Sequence, residues 1–176
     1  MSSIAFLSGI HGVGKGYLGK KISESMNVSI YTASDLIRQY GQQALDGKIV
    51  PNINRNQDLL ISAIHEIIPS NEDFILDGHL CLISKNNEIS RIPKTTYESL
   101  GLKIMIVLMD NPKEIANRLF KRDNKVYDEA FLESFQAEEV RYAKELCNEL
   151  NIELLVCEMD VTKIENFIKK HFLGDE

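Results

Sequence analysis

Residues 9–16 read Gly-Ile-His-Gly-Val-Gly-Lys-Gly and follow directly on a short apolar run, Ile4 to Leu7. Few local patterns constrain a chain so tightly. A glycine-rich turn between a strand and a helix leaves backbone N–H groups free to surround phosphate oxygens. The helix behind it points its positive end at the same place, and Lys15 adds a formal charge. Side chains at Gly9, Gly12 and Gly14 would block that approach or forbid the dihedrals it needs. His11 and Val13 complete the loop. Gly16 and Tyr17 stand where a Ser or Thr hydroxyl usually meets a magnesium ion. The expected binding run is therefore Gly9, His11, Gly12, Val13, Gly14, Lys15, Gly16 and Tyr17.

The rest of the chain predicts alternating strands and helices. Strands are expected at Ile4 to Ser8, Val28 to Thr32, Phe74 to Leu76, Lys103 to Met109 and Ile152 to Cys157. Lys103 to Met109 is the most apolar of them and reads as central, covered on both faces. Helices are expected from Lys15 to about Met26, from an N-cap at Ser34 to about Leu45, and from Asn54 to Ile68 with Pro69 as the stop. Three more follow: Pro112 to about Phe120, Ala130 to Leu150 and Val161 to Phe172. Such alternation implies a parallel sheet with helices on both faces, and ligands beyond the C-terminal strand ends. The loop, Asp77 and Asp110 all fall there.

With 176 residues, one domain is expected. The net charge of −6 argues against a broad nucleic-acid or anionic-membrane surface. The three cysteines, Cys81, Cys147 and Cys157, are odd in number and unpaired in spacing, which fits a reducing, cytoplasmic compartment without a disulfide framework or zinc site. No apolar run approaches membrane-spanning length. The expected partners are small-molecule nucleotides, with no nucleic acid and no membrane, in a monomer or homodimer.

Four further segments carry a resemblance. Ala33-Ser34-Asp35-Leu36-Ile37-Arg38 resembles the Gly-Asp-Leu-Leu-Arg segment of adenylate kinases. Gly47-Lys48-Ile49-Val50-Pro51-Asn52 resembles their Gly-x-x-Val-Pro-Asp run. Phe74-Ile75-Leu76-Asp77-Gly78 is similar to their strand ending in Asp-Gly. Arg118-Leu119-Phe120-Lys121-Arg122 resembles the entry to their lid. Together with the phosphate loop, these identify the chain as similar to the adenylate kinase and nucleoside monophosphate kinase family of P-loop NTPases. The resemblance runs from Ile4 to Phe172 in the same order. It implies an α/β three-layer sandwich, with a five-stranded parallel sheet, an acceptor-binding flap at about 33–69 and a short lid at about 119–129.

It also implies roles. Lys15, Arg118 and Arg122 are the expected catalytic residues, holding and neutralising the transferring phosphoryl group of ATP. Asp77 is expected to organise Mg2+ through water. Asp35, Arg38, Val50, Asp77, His79 and Arg91 are the candidate acceptor contacts. The family continues Asp-Gly with Phe-Pro-Arg, where the arginine is a second clamp on the acceptor; this chain continues His79-Leu80-Cys81, and Arg91 is the candidate substitute.

The implied activity is transfer of the ATP γ-phosphate to a nucleoside monophosphate or similar small acceptor. Two other readings stay open. One is a P-loop ATPase or small-metabolite kinase, in which a hydroxyl acceptor needs a base and Asp35 is the candidate. The other is a nucleotide-binding regulatory module without turnover, favoured by Tyr17 and by the missing arginine.

Overall fold

The computed structural model describes residues 3–43, 56–84 and 88–172. The chain runs β1 (Ile4–Ser8), α1 (Lys15–Met26), β2 (Ser29–Thr32), α2 (Ala33–Gln43), α3 (Asn56–Ile67), β3 (Phe74–Asp77), β4 (Cys81–Ile83) and β5 (Ile89–Arg91). It continues through α4 (Lys94–Leu100), β6 (Ile104–Leu108), α5 (Pro112–Asp123), α6 (Glu129–Leu150), β7 (Glu153–Cys157) and α7 (Val161–Phe172). Five strands form one parallel sheet in the order β2-β3-β1-β6-β7, and β4 and β5 form a separate antiparallel hairpin.

Burial explains the order. β1 and β6 are buried at every position and apolar at all but Ser8, as central parallel strands covered on both faces must be. β2 and most of β7 are only half-buried, and they form the two edges. Helix boundaries follow local chemistry. Asn111 caps α5 by accepting from the Lys113 amide, with Pro112 at the first helical position. Asp128 caps α6 by accepting from the Phe131 amide. Asn27, Asn124 and Asn151 close α1, α5 and α6 in the left-handed conformation.

The register brings the site together. Leu7 of β1 and Thr32 of β2 both pair with Asp77 of β3, so the loop after β1 begins level with the Asp77 carboxylate.

Three expectations change. Ser34 does not cap α2: the helix starts at Ala33, directly off β2, which leaves Ser34 inside the first turn. The segment between Gly78 and Gly101 holds the β4–β5 hairpin and α4, neither of which alternation alone signalled. The lid entry is helical as far as Asp123, leaving residues 124–128 to join α5 to α6. The Gly47 to Asn52 run, Val50 included, lies outside the described residues. No helix among the described residues is long and apolar enough to cross a membrane. All three cysteines are buried and free, and burial pushes the thiols of Cys81 and Cys147 up to about 12.

Candidate functional site

The loop after β1 is shaped by close packing. Gly9, Gly12 and Gly14 all have positive φ. A Cβ at Gly9 would stand 2.7 Å from the Leu108 carbonyl oxygen, so β6 leaves no room for a side chain where the loop turns out of the sheet. Gly14, at φ 108°, occupies the N-cap of α1, and no side chain caps that helix. The first-turn N–H groups are therefore open to an anion, and the helix dipole favours one.

Lys15 is 7% exposed. Its Nζ donates to the Gly9 carbonyl at 2.7 Å, lies 3.2 Å from His79 Nε2 and 3.6 Å from Asp77 Oδ1. Desolvation lowers the lysine pKa and raises that of Asp77, while their attraction works against both shifts. The His79 ring stacks on His11 with centroids 4.1 Å apart. Burial, reinforced by Lys15 and His11, lowers the His79 pKa to about 2, so this imidazole is neutral and can accept from the lysine. Desolvation, then Lys15 and Arg122, also lower His11.

These groups line a cavity of about 420 Å³ that contains His11, Gly12, Gly14, Lys15, Gly16, Asp77, His79, Arg118 and Arg122. Arg118 reaches across from α5, donating from Nε to the Gly12 carbonyl at 2.7 Å and pairing with Asp110 at 2.5 Å. Arg122 pairs with Asp123 at 2.6 Å. A second cavity, of about 620 Å³, opens along His11, Thr32, Ser34, Asp77 and His79, which line both. Its far wall carries Phe6, Ile37, Leu60, Leu82, Ile92 and Tyr97, with Thr96 and Arg91 among the polar residues.

Several sequence candidates stand elsewhere. Val13 is buried in the core, and its N–H is spent on the Ile10 carbonyl. The Tyr17 ring is 61% exposed, beside Lys21 and outside both cavities, so this residue offers the site its first-turn position and no hydroxyl. A Cβ at Gly16 would meet nothing within 4 Å, so sterics do not demand glycine there. Asp35 and Arg38, three apart on α2, pair with each other at 2.8 Å on an exposed face. Neither is among the residues that line the two cavities described above. Arg91 borders the second cavity, but its guanidinium is held by Glu138 at 2.7 Å and Glu145 at 2.5 Å and lies over the Tyr142 ring.

The residues that align these parts sit on α6. Glu139 is 0% exposed and accepts from the Leu80 amide at 2.9 Å, the Cys81 amide at 2.8 Å and the Ser8 hydroxyl. It thus ties the residue before the phosphate loop to the chain just beyond His79. One turn earlier, Gln136 exchanges two hydrogen bonds with the Asp110 backbone, at 3.0 and 2.9 Å. The sequence held a signal for both. Within the apolar stripe Leu132, Phe135, Ala143, Leu146, positions 136 and 139 fall on the buried face and are polar.

Residues 8–136 match a family described as an AAA domain. No curated protein sequence matches the chain. Among solved structures, an uncharacterized protein from Eubacterium ventriosum ATCC 27560 aligns with a TM-score of 0.54 at 14% identity, over 99% of this chain and 100% of that one. A gluconokinase from Sinorhizobium meliloti 1021 aligns at 0.48 and 17% identity, over 98% of this chain and 90% of that one. The first likeness is one of fold. The matched family and the sheet around the loop identify a nucleotide-binding P-loop domain.

Proposed function

From the premise that the chain belongs to this AAA domain family, we propose that it is an ATP-dependent phosphotransferase. It moves the γ-phosphate of Mg-ATP from the loop cavity to a small acceptor in the adjoining one. The observation that carries this reading is the buried Lys15 beside an uncapped helix N-terminus, in a cavity continuous with a second one. A site that only bound nucleotide has no use for the second space.

The loop amides and the first turn of α1 receive the β- and γ-phosphates. Lys15, now resting against His79 and Asp77, turns to the phosphate oxygens and brings its charge into a partly dehydrated site. Arg118 and Arg122 face charge that develops on the transferring group. Asp77 is the lining carboxylate that meets the magnesium ion entering with ATP; Gly16 contributes no hydroxyl. That ion enters with the triphosphate, as part of the substrate.

A nucleoside monophosphate needs cations on the acceptor side. To meet its phosphate, Arg38 would have to leave Asp35, and Arg91 would have to leave Glu138 and Glu145. The regulatory-module reading draws on Gly16 and the outward Tyr17.

ADP formation from Mg-ATP, with and without candidate acceptors, separates these readings, with Lys15→Met as control because it keeps the buried aliphatic stem. Acceptor-dependent ADP in the wild type, and a loss on the order of 10²–10³-fold in a folded Lys15→Met protein, support phosphotransfer. Binding of Mg-ATP without turnover supports the module.

A further inference from the structure

Residues 9–16 carry side chains at Ile10, His11, Val13 and Lys15; the rest are glycines. Ile10 and Val13 are buried in the core, and Lys15 lines the first cavity. His11 is placed differently. It lines both cavities, and of the loop residues it alone lines the second.

Local geometry puts it there. The Val13 N–H bonds the Ile10 carbonyl at 3.3 Å, closing a four-residue turn with His11 and Gly12 at its corners. Gly12 has φ 81°, the positive value that a type II turn requires at its third residue. The turn is packed on one side and tethered on another. A Cβ at Gly12 would stand 2.8 Å from Leu119 Cγ, and Arg118 Nε donates to the Gly12 carbonyl at 2.7 Å. The His11 ring rests against His79, with centroids 4.1 Å apart and planes tilted by 37°. A ring already restricted in this way loses less freedom when a ligand engages it.

The border between the cavities is where a transferred group passes. His11, Thr32, Ser34, Asp77 and His79 line both spaces, whereas Arg118 and Arg122 line only the first. Asp77 is taken by the magnesium ion in the phosphotransfer reading. His79 Nε2 lies 3.2 Å from Lys15 Nζ. Thr32 and Ser34 belong to β2 and α2, not to the loop that wraps the donor phosphates. His11 is the border group on that loop, and an imidazole in either protonation state keeps an N–H to donate.

We propose that His11 is a catalytic residue of the transfer: its ring N–H donates to a non-bridging oxygen of the γ-phosphoryl group on the side that faces the acceptor. This rests on the phosphotransfer reading and deepens it. The acceptor oxygen uses its own electron pair to bond to the γ-phosphorus as the bond from that phosphorus to the bridging oxygen breaks. ADP leaves with that pair. Any proton on the acceptor oxygen passes to solvent water, and the His11 proton stays on its ring. The hydrogen bond holds the phosphoryl group at the border, in line for attack.

The test compares wild type with three variants. His11→Phe keeps a ring to lie against His79 and has no N–H. His11→Asn and His11→Gln carry amide N–H groups that reach toward the positions of the two imidazole nitrogens. Titration calorimetry reads Mg-ATP affinity. Initial-rate ADP formation from Mg-ATP reads transfer to water, to the common nucleoside monophosphates and to their nucleosides. With the fastest acceptor, the expected kcat of His11→Phe is about 10–10²-fold lower. Its Mg-ATP Kd and acceptor KM stay within about threefold of wild type. His11→Asn or His11→Gln returns about tenfold of the lost kcat. Equal kcat in wild type and His11→Phe overturns the inference while phosphotransfer stands. A Mg-ATP affinity weakened as far as kcat makes His11 a ground-state contact and overturns it as well. The same loss in all three variants removes the N–H donor role. A wild type that binds Mg-ATP and forms no ADP with any of these, water included, overturns the phosphotransfer reading itself.

Discussion

The phosphate cavity is built around one continuous run, residues 9–16, which supplies its loop amides and Lys15, whereas the adjoining cavity gathers side chains from β1, β2, α2, α3, the β4–β5 hairpin and α4. In the first, the binding groups are largely backbone amides and one lysine, fixed by local conformation. In the second, nothing local fixes the lining. Its geometry depends on packing between elements far apart in the chain, with Asp77 and His79 on the shared wall. A substitution in the first region should therefore act on chemistry with the fold intact, and one in the scaffold behind both should act on everything at once.

The hardest test of that division is Glu139. Glu139→Ala leaves the Leu80 and Cys81 amides and the Ser8 hydroxyl without their acceptor in a dry interior. The expected loss is about 3–5 kcal/mol in denaturant unfolding, with Mg-ATP binding weakened in the same protein. A variant that keeps full stability would break the scaffold account. Arg118→Ala should separate the regions in the other direction. The side chain is partly exposed, so melting should stay within about 1 kcal/mol of wild type. Turnover should fall on the order of 10–10²-fold, as expected for a charge facing the transferred group.

His79 gives a pH signature. Its folded pKa of about 2 lies far below the ordinary 6.5, because burial penalises the imidazolium. Between those values the unfolded chain binds a proton that the folded chain refuses. Stability from this group is thus complete above pH 6.5 and falls steadily as the pH drops toward 2. Thermal melts of wild type and His79→Asn across that range should show a shallower acid decline in the variant; identical slopes would remove His79 from the buried junction. The smallest expected effect is at Arg91. Its ion pairs are partly exposed, so Arg91→Met should cost under about 1 kcal/mol and leave Mg-ATP affinity unchanged. A large loss of acceptor turnover in that variant would return Arg91 to the acceptor side.

The contrast also explains what could be read in advance. The five parallel strands and the phosphate loop were legible because apolar runs and glycine spacing report local geometry. Asp77 was legible because it ends such a run beside the loop. The direction of Asp35 and Arg38 was not, since which face of α2 turns to solvent depends on how that helix packs, and there the two pair with each other. The β4–β5 hairpin and α4 escaped because their segments are short and carry little periodicity. Thr96 escaped with them: it lines the second cavity with a buried hydroxyl that has no partner among the described residues, which no pattern of residues displays.

The central claim is that the run from Gly9 to Gly16 receives the phosphates of a nucleoside triphosphate through the open end of α1 and through Lys15. Titration calorimetry of Mg-ATP into wild type and Lys15→Met tests it most directly. The account predicts saturable binding by the wild type, weakened by about tenfold or more in a variant with an unchanged circular dichroism spectrum. Equal affinity in the two proteins, or no binding to the wild type, would contradict it.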